Sequence, residues 1–273
     1  MQSLCIYHGN CADGFSGAWV VRRALGEDGN DFYAGVYQVA PPDCYRRDVV
    51  FVDFSYKRPV MERIIAEAHS VIVLDHHKTA AEDLRDLKGA EVVFDMERAG
   101  SHIAWDYYFP NETPPPVLLH VEDRDLWRFA LPKTREIQAN IFSYPYDFLV
   151  WDRLMASDPA VLAVEGEAIE RKHFKDIAEL LGVVQRRMNI GGYNVPVANL
   201  PYTLVSDAAH KMAQGEPFAA CYWDTPKGRI FGLRSTDAGI DVSDIAKQYG
   251  GGGHRNAAGF TVPFSVATAF EVA

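Results

Sequence analysis

Short aliphatic runs that end in a charged or imidazole side chain recur through the first half of the chain. Ile6-Tyr7-His8 leads into Asn10-Cys11-Ala12-Asp13-Gly14, Val49 to Val52 ends at Asp53, and Val71-Ile72-Val73-Leu74 ends in Asp75-His76-His77. Leu118-Leu119-His120-Val121-Glu122 leads to Asp123 in a similar way. Runs of four or five apolar residues bounded by polar ones predict buried strands of a parallel sheet. The segments between them carry helical patterning: Gly14 to Ala24, Val60 to Ala68, Ala80 to Leu87 and Ser101 to Tyr108, with a further strand over Glu91 to Phe94. Strands alternating with helices imply βαβ units. A proline-rich break over Asn111 to Pro116 precedes a helix carrying Asp123.

The pattern then changes. From Lys133 to Met188 there is almost no strand signal, and Val161 to Met188 predicts a long amphipathic helix stopped by Gly191-Gly192. A smaller α/β region follows, with strands over Val195 to Asn199, Phe218 to Trp223, Arg229 to Arg234 and Phe260 to Val262. Val242 to Tyr249 predicts a helix running into Gly250-Gly251-Gly252-Gly253-His254. The expectation is two α/β lobes joined by a helical connector, with domains at 1–158 and 191–273, a linker helix at 159–190 and the cleft between the lobes as the default ligand site. No internal repeat is evident.

Composition narrows the function classes. The 273 residues are 48% hydrophobic and 12% aromatic, enough for a well-packed core and more than one domain. No apolar run is long enough to span a bilayer, and the N-terminus lacks a basic segment followed by an apolar signal core, so a soluble cytoplasmic protein is expected. The four cysteines, Cys5, Cys11, Cys44 and Cys221, form no CxxC pair, which makes disulfides and a structural zinc site poor expectations. A formal net charge of −10 argues against a surface that grips long DNA or RNA through many phosphates. Small anionic substrates stay open, because bound cations reverse the field within one cleft.

Ligands of open α/β sheets gather at the carboxyl ends of the strands, where the Asp and His residues stand. His8, Asp13, Asp53, His76 and Asp123 are therefore candidate metal ligands. A mixed imidazole and carboxylate set suits Mn²⁺ best, with Mg²⁺, Zn²⁺ or Fe²⁺ as alternatives. Two ions about 3.5–4 Å apart would share one carboxylate and clamp a phosphoryl group, and Asp53, alone at its strand end, is the natural bridge. Any one Asp after a strand is more often a cap or turn residue; the His76-His77 pair behind Asp75 is harder to explain that way.

Asp75-His76-His77 at the end of an aliphatic strand resembles the signature of the DHH phosphoesterase superfamily. Gly250-Gly251-Gly252-Gly253-His254-Arg255-Asn256-Ala257-Ala258-Gly259 resembles the glycine-rich signature of its DHHA1 substrate-binding domain. The resemblance extends over nearly the whole chain and implies a parallel-sheet DHH domain, a helical linker and a smaller DHHA1 domain, of the RecJ-like or nanoRNase-like kind. It implies two Mn²⁺ ions bridged by Asp53, His8 on the first, and Asp13, His76 and Asp123 on the second. His77 would orient a ligand or touch phosphate, completing a catalytic set of Asp53, His76 and His77, with Asp75 holding the histidines. Ser101, Arg234, Gly252, Gly253 and His254, with His77, are the implied substrate contacts, and Ser101 is equally well read as a helix cap. Trp105, Tyr107, Tyr108 and Trp127 are candidates for base stacking, but their helical spacing favours a core role.

One departure from the family pattern stands out. Members show an Asp-x-Asp-Gly arrangement where this chain has Cys11-Ala12-Asp13-Gly14. A neutral variation, a ligating thiolate that favours a softer ion, and a vacant first site are the three readings. The expected activity is metal-dependent hydrolysis of phosphodiester bonds in short oligonucleotides or linear dinucleotides, releasing mononucleotides. The competing expectations are a polyphosphate or other phosphoanhydride hydrolase, and a nucleotide-binding protein with an impaired first metal site. A homodimer is compatible with the sequence, which leaves oligomeric state open.

Overall fold

The computed structural model describes residues 2–270, which divide into two compact units, one ending at Glu170 and the other beginning at Arg171. The first unit is built on a five-stranded sheet of β1 (Ser3–His8), β2 (Asn30–Gly35), β3 (Asp48–Val52), β4 (Ser70–Asp75) and β5 (Glu91–Phe94). Its order is β2-β1-β3-β4-β5 and every pairing is parallel. This is the doubly wound order in which chain direction across the sheet reverses between β1 and β3, so ligand-binding groups are expected at the carboxyl ends of those two strands.

Side-chain alternation explains why both faces are covered. Leu4 and Ile6 of β1, Val49 and Phe51 of β3, and Val71 and Val73 of β4 enter one core with Met61 and Ile64 of helix α2 (Arg58–Glu67). The intervening Cys5, Val50, Val52 and Leu74 enter the other. That second core is filled by α1 (Ala12–Leu25), α4 (Gly100–Tyr108) and α5 (Pro116–Asp125), with a short α3 (Lys78–Asp83) following β4. Trp105 is 2% exposed within this core, so the packing reading of that aromatic holds. Helices α6 (Thr134–Ile141), α7 (Phe148–Met155) and α8 (Pro159–Val184) follow, and α8 crosses the division between the units.

The second unit contains a six-stranded sheet of β6 (Arg186–Ile190), β7 (Tyr193–Asn199), β8 (Ala219–Thr225), β9 (Gly228–Arg234), β10 (Gly252–Gly253) and β11 (Ala257–Val262), in the order β10-β11-β9-β8-β7-β6. Among the described strands of this sheet only β7 and β8 pair in parallel. Helices α9 (Val205–Met212) and α10 (Val242–Gln248) cover its two faces, and Ile177 and Leu181 of α8 pack on the α9 side. No helix among the described residues is long and apolar enough to cross a membrane.

Two expectations need correction. The helix predicted to reach Met188 stops at Val184, and Arg186–Ile190 is a strand. Met188 and Ile190 are fully buried while Arg187 and Asn189 are exposed, an alternation of period two. Ile190 pairs with Tyr193, so Gly191-Gly192, at φ +60° and +85°, is the two-residue turn of a hairpin rather than a helix stop. The edge strand β2 carried no clear hydrophobic run, and its residues are mostly half-buried or exposed.

Helix α1 lies so close to β3 that a Cβ at Gly17 would sit 2.2 Å from Val52 Cγ1. Gly17→Ala is expected to destabilise the protein by about 1–3 kcal/mol through overpacking. Gly182, on the exposed side of α8 with no atom within 4 Å of an added Cβ, provides the contrast. Gly182→Ala is expected to stabilise by roughly 0.5 kcal/mol, since alanine loses less backbone entropy in a helix. Urea denaturation followed by circular dichroism checks both; equal effects would remove the close-approach argument.

Candidate metal centre

The carboxyl ends of β1, β3 and β4 converge with the N-termini of α1 and α4 and the C-terminus of α5. Asp53 follows β3 with φ +54°, a left-handed conformation that Asp adopts more readily than most side chains. Its N–H donates to the Leu74 carbonyl at 2.9 Å, tying the turn to β4. Its two carboxylate oxygens face different imidazoles: Oδ2 lies 3.3 Å from His8 Nδ1 and Oδ1 lies 3.2 Å from His76 Nε2. Gly100 makes this approach possible, because a Cβ there would be 2.6 Å from Asp53 Cβ and 3.0 Å from Asp13 Oδ2.

Asp13 occupies the first turn of α1, directed across to the start of α4. Its Oδ2 accepts the Gly100 N–H at 2.7 Å, and its Oδ1 accepts the Ser101 N–H at 3.0 Å together with the Ser101 hydroxyl. Helix N-termini favour a carboxylate in this way. Ser101 is thus a positioning residue for Asp13; the N-cap of α4 is Ala99. His76 Nε2 lies 3.8 Å from Asp13 Oδ2.

Asp75 is fully buried and organises the turn after β4. Its Oδ1 accepts the N–H groups of His76 (2.7 Å) and His77 (3.1 Å) and lies 2.8 Å from His77 Nδ1. Burial opposes its ionisation, but the charge of His77 and the hydrogen bond to it hold the carboxyl below its usual range.

Asp123 does not join the cluster. Its Oδ1 accepts the Ala130 N–H at 2.8 Å, and its Oδ2 accepts the Leu131 N–H at 3.1 Å and the Thr134 hydroxyl. The carboxylate that reaches the site is Asp125, whose Oδ2 is 3.3 Å from His76 Nε2. The segment bearing them is helix α5, where residues two apart project about 200° from each other, so Asp123 faces the following loop when Asp125 faces the site. The Asp123-Arg124-Asp125 spacing was the available signal. Arg124 stacks over Trp127 at 4.3 Å.

Among the described residues the first unit holds three donor groups; one is Asp53, Asp75 and His77, in which Asp75 already holds the imidazole. His8, Cys11 and Asp53 present atoms all within 4.8 Å of one another, as do Asp13, His76 and Asp125, and Asp53 touches both groups. The electrostatics ask for a cation. Burial raises the Asp13 carboxyl well above its usual range, reinforced by the charges of Asp53 and Asp125. Asp125 is raised mainly by burial, with Asp53 adding to it. Asp53 is held well below the usual range, burial being outweighed by hydrogen bonds to His76 and His8. Burial lowers His76, but Asp53, Asp125 and Asp13 together lift it to about 10. The donor chemistry therefore fits divalent metal, with three carboxylates sharing one buried space.

In the second unit Arg234 Nη2 donates to the Ser206 hydroxyl at 2.7 Å and Nη1 to the Leu233 carbonyl. Gly252 and Gly253 form β10 against β11, and a Cβ at Gly253 would meet the Ala257 oxygen at 2.5 Å. The close approach that Gly253 allows is to its own sheet. The His254 N–H donates to the Ala257 carbonyl at 2.8 Å.

The first unit is a doubly wound parallel sheet with a carboxylate and imidazole cluster at its switch point, and a mixed-sheet unit follows it. Residues 204–271 match the DHHA1 domain. Over 94% of its length it is 30% identical to uncharacterized protein R106 of Acanthamoeba polyphaga mimivirus, and spans 66% of that relative. Its fold is similar to RecJ of Thermus thermophilus, solved with Mn²⁺, at a TM-score of 0.56 and 16% identity, covering 98% of this chain and 51% of the other. It is also similar to the pGpG-specific phosphodiesterase PggH of Vibrio cholerae, at a TM-score of 0.50 and 14% identity, covering 98% and 95%.

Two outcomes are expected. Asp125→Asn weakens Mn²⁺ binding with little change in stability, whereas Asp123→Ala leaves buried N–H donors unpaired and costs about 1–3 kcal/mol of stability. Isothermal titration and denaturation on both variants check this; a reversed pattern would restore Asp123 to the ligand set. Because a ligating imidazole must be neutral, and His76 is protonated below about 10 without metal, Mn²⁺ affinity should rise with pH across neutrality and binding should release protons. Calorimetry in two buffers of different ionisation heat measures that release, and its absence would exclude His76 as a ligand.

Proposed function

We propose that the protein is a divalent-metal-dependent phosphodiesterase that cleaves short oligonucleotides or linear dinucleotides to mononucleotides. The single observation carrying this reading is the Asp53 carboxylate, with one oxygen toward His8 and the other toward His76. A carboxylate so placed could be shared by two ions. His8 and Asp53 would hold the first, and Asp13, His76, Asp125 and Asp53 the second, with Mn²⁺ suited to the oxygen-rich set. Such a pair lowers the pKa of a bound water and neutralises charge on a phosphoryl group.

The remaining work falls to the chain. Asp75 fixes Nδ1 of His77, which leaves Nε2 as the atom that would donate to a phosphate oxygen. Ser101 keeps Asp13 turned inward. By the DHHA1 resemblance Arg234, Gly252, Gly253 and His254 would meet a substrate phosphate, which tilts the proposed substrate toward nucleotides. The net charge of −10 favours a substrate a few nucleotides long over a long strand.

Mn²⁺-loaded protein is expected to release AMP from 5′-phosphorylated diadenylate, and EDTA should stop it. Asp53→Asn should abolish turnover in folded protein, and Ser101→Ala should cost about 10–100-fold in metal affinity or activity. Cleavage of linear polyphosphate without turnover of diadenylate would overturn the nucleotide assignment while leaving the metal centre intact.

A further inference from the structure

We infer that Cys11 is a thiolate ligand of the first metal position, beside His8 and Asp53, and that this position takes a softer divalent ion of the Zn²⁺ or Fe²⁺ kind. The inference deepens the proposed function and rests on its metal centre. The sulfur of Cys11, a ring nitrogen of His8 and a carboxylate oxygen of Asp53 all lie within 4.8 Å of one another. One ion with bond lengths of about 2.0–2.3 Å to nitrogen, oxygen and sulfur spans such a triangle.

Cys11 is the N-cap residue of α1, in extended conformation, where Ser, Thr, Asp or Asn would be the usual choice, and the Gly14 N–H is directed at its sulfur. The three other cysteines each belong to an apolar core: Cys5 with α1 and α4, Cys44 with β3 and α2, and Cys221 with α9. Cys11 belongs to none of these cores and is partly exposed. Asp13 cannot stand in for it, because both its oxygens are held by the N-terminus of α4 on the side of His76 and Asp125.

The two positions then differ in hardness. The second offers carboxylates and one imidazole, a set suited to Mn²⁺ or Mg²⁺, while the first offers sulfur, nitrogen and one shared oxygen. A thiolate donor shifts preference toward thiophilic ions, so a mixed-metal centre follows from one side chain.

Cobalt substitution tests this without relying on turnover. Full-length protein is stripped with EDTA, reloaded with Co²⁺ and examined by absorption spectroscopy, with bound cobalt counted by equilibrium dialysis. Wild type should show a near-ultraviolet thiolate-to-cobalt charge-transfer band. Cys11→Ser and Cys11→Asp should still bind cobalt but lack the band, and Cys11→Asp should lose selectivity for Zn²⁺ over Mn²⁺. Stoichiometric cobalt in wild type without the band would overturn the inference, as would a band that survives in Cys11→Ser. If wild type binds no more cobalt than Asp53→Asn, the metal-centre reading itself fails, which is a separate result.

Discussion

The Asp53 carboxylate sits between two imidazoles on a backbone turn that most side chains resist, and the first unit is arranged around that placement. The turn is possible because its N–H reaches the Leu74 carbonyl and because Gly100 leaves room for the Asp53 Cβ. The oxygens diverge toward His8 at the end of β1 and His76 after β4 because β3 lies between those strands. Sheet order thus fixes which groups Asp53 can join, and the order reverses at that point. Moving Asp53 by one residue would turn its side chain to another face and separate the two halves of the donor set.

Burial makes this arrangement costly unless it is compensated. Asp13, Asp53 and Asp75 are each about 1% exposed or less, and isolated charges are not tolerated at that depth. Different devices meet the cost. Asp75 is neutralised locally by two backbone N–H groups and His77, and so serves as a structural anchor for the turn. Asp13 has the N-terminus of α4 and the Ser101 hydroxyl, yet its carboxyl is still raised by its neighbours. The residual imbalance lies where Asp13, Asp53 and Asp125 meet His76, and a divalent cation is the natural counter-charge there.

Much of this was legible in the sequence for a physical reason. The central strands are buried on both faces, so their aliphatic runs are uninterrupted, and their ends are marked by the first charged residue. That rule located β1, β3 and β4, and with them His8, Asp53, Asp75, His76 and His77. It failed where burial is one-sided. Strand β2, at the sheet edge, has no such run, and β6 alternates Met188 and Ile190 with exposed polar residues that also fit a helix face. Gly191-Gly192 terminates either element equally well, and only the cross-strand pairing of Ile190 with Tyr193 decides between them.

The Asp123 expectation failed through the same reasoning applied to the wrong period. On a strand, the residue that ends an apolar run is delivered to the sheet edge whatever its face. On a helix, delivery depends on angle, and Asp123 and Asp125 diverge by about 200°. Asp123 is as buried as a ligand would be, at 4% exposed, but its burial serves the loop that follows. There its carboxylate and carbonyl gather the N–H groups of Arg128, Phe129, Ala130 and Leu131, across a segment in which Trp127 and Phe129 adopt φ of +57° and +49°. Bulky side chains seldom hold that conformation, so the loop needs an anchor to persist. That anchor starts two residues before Asp125 on the same helix, which couples the shape of the loop to the position of the carboxylate that reaches His76.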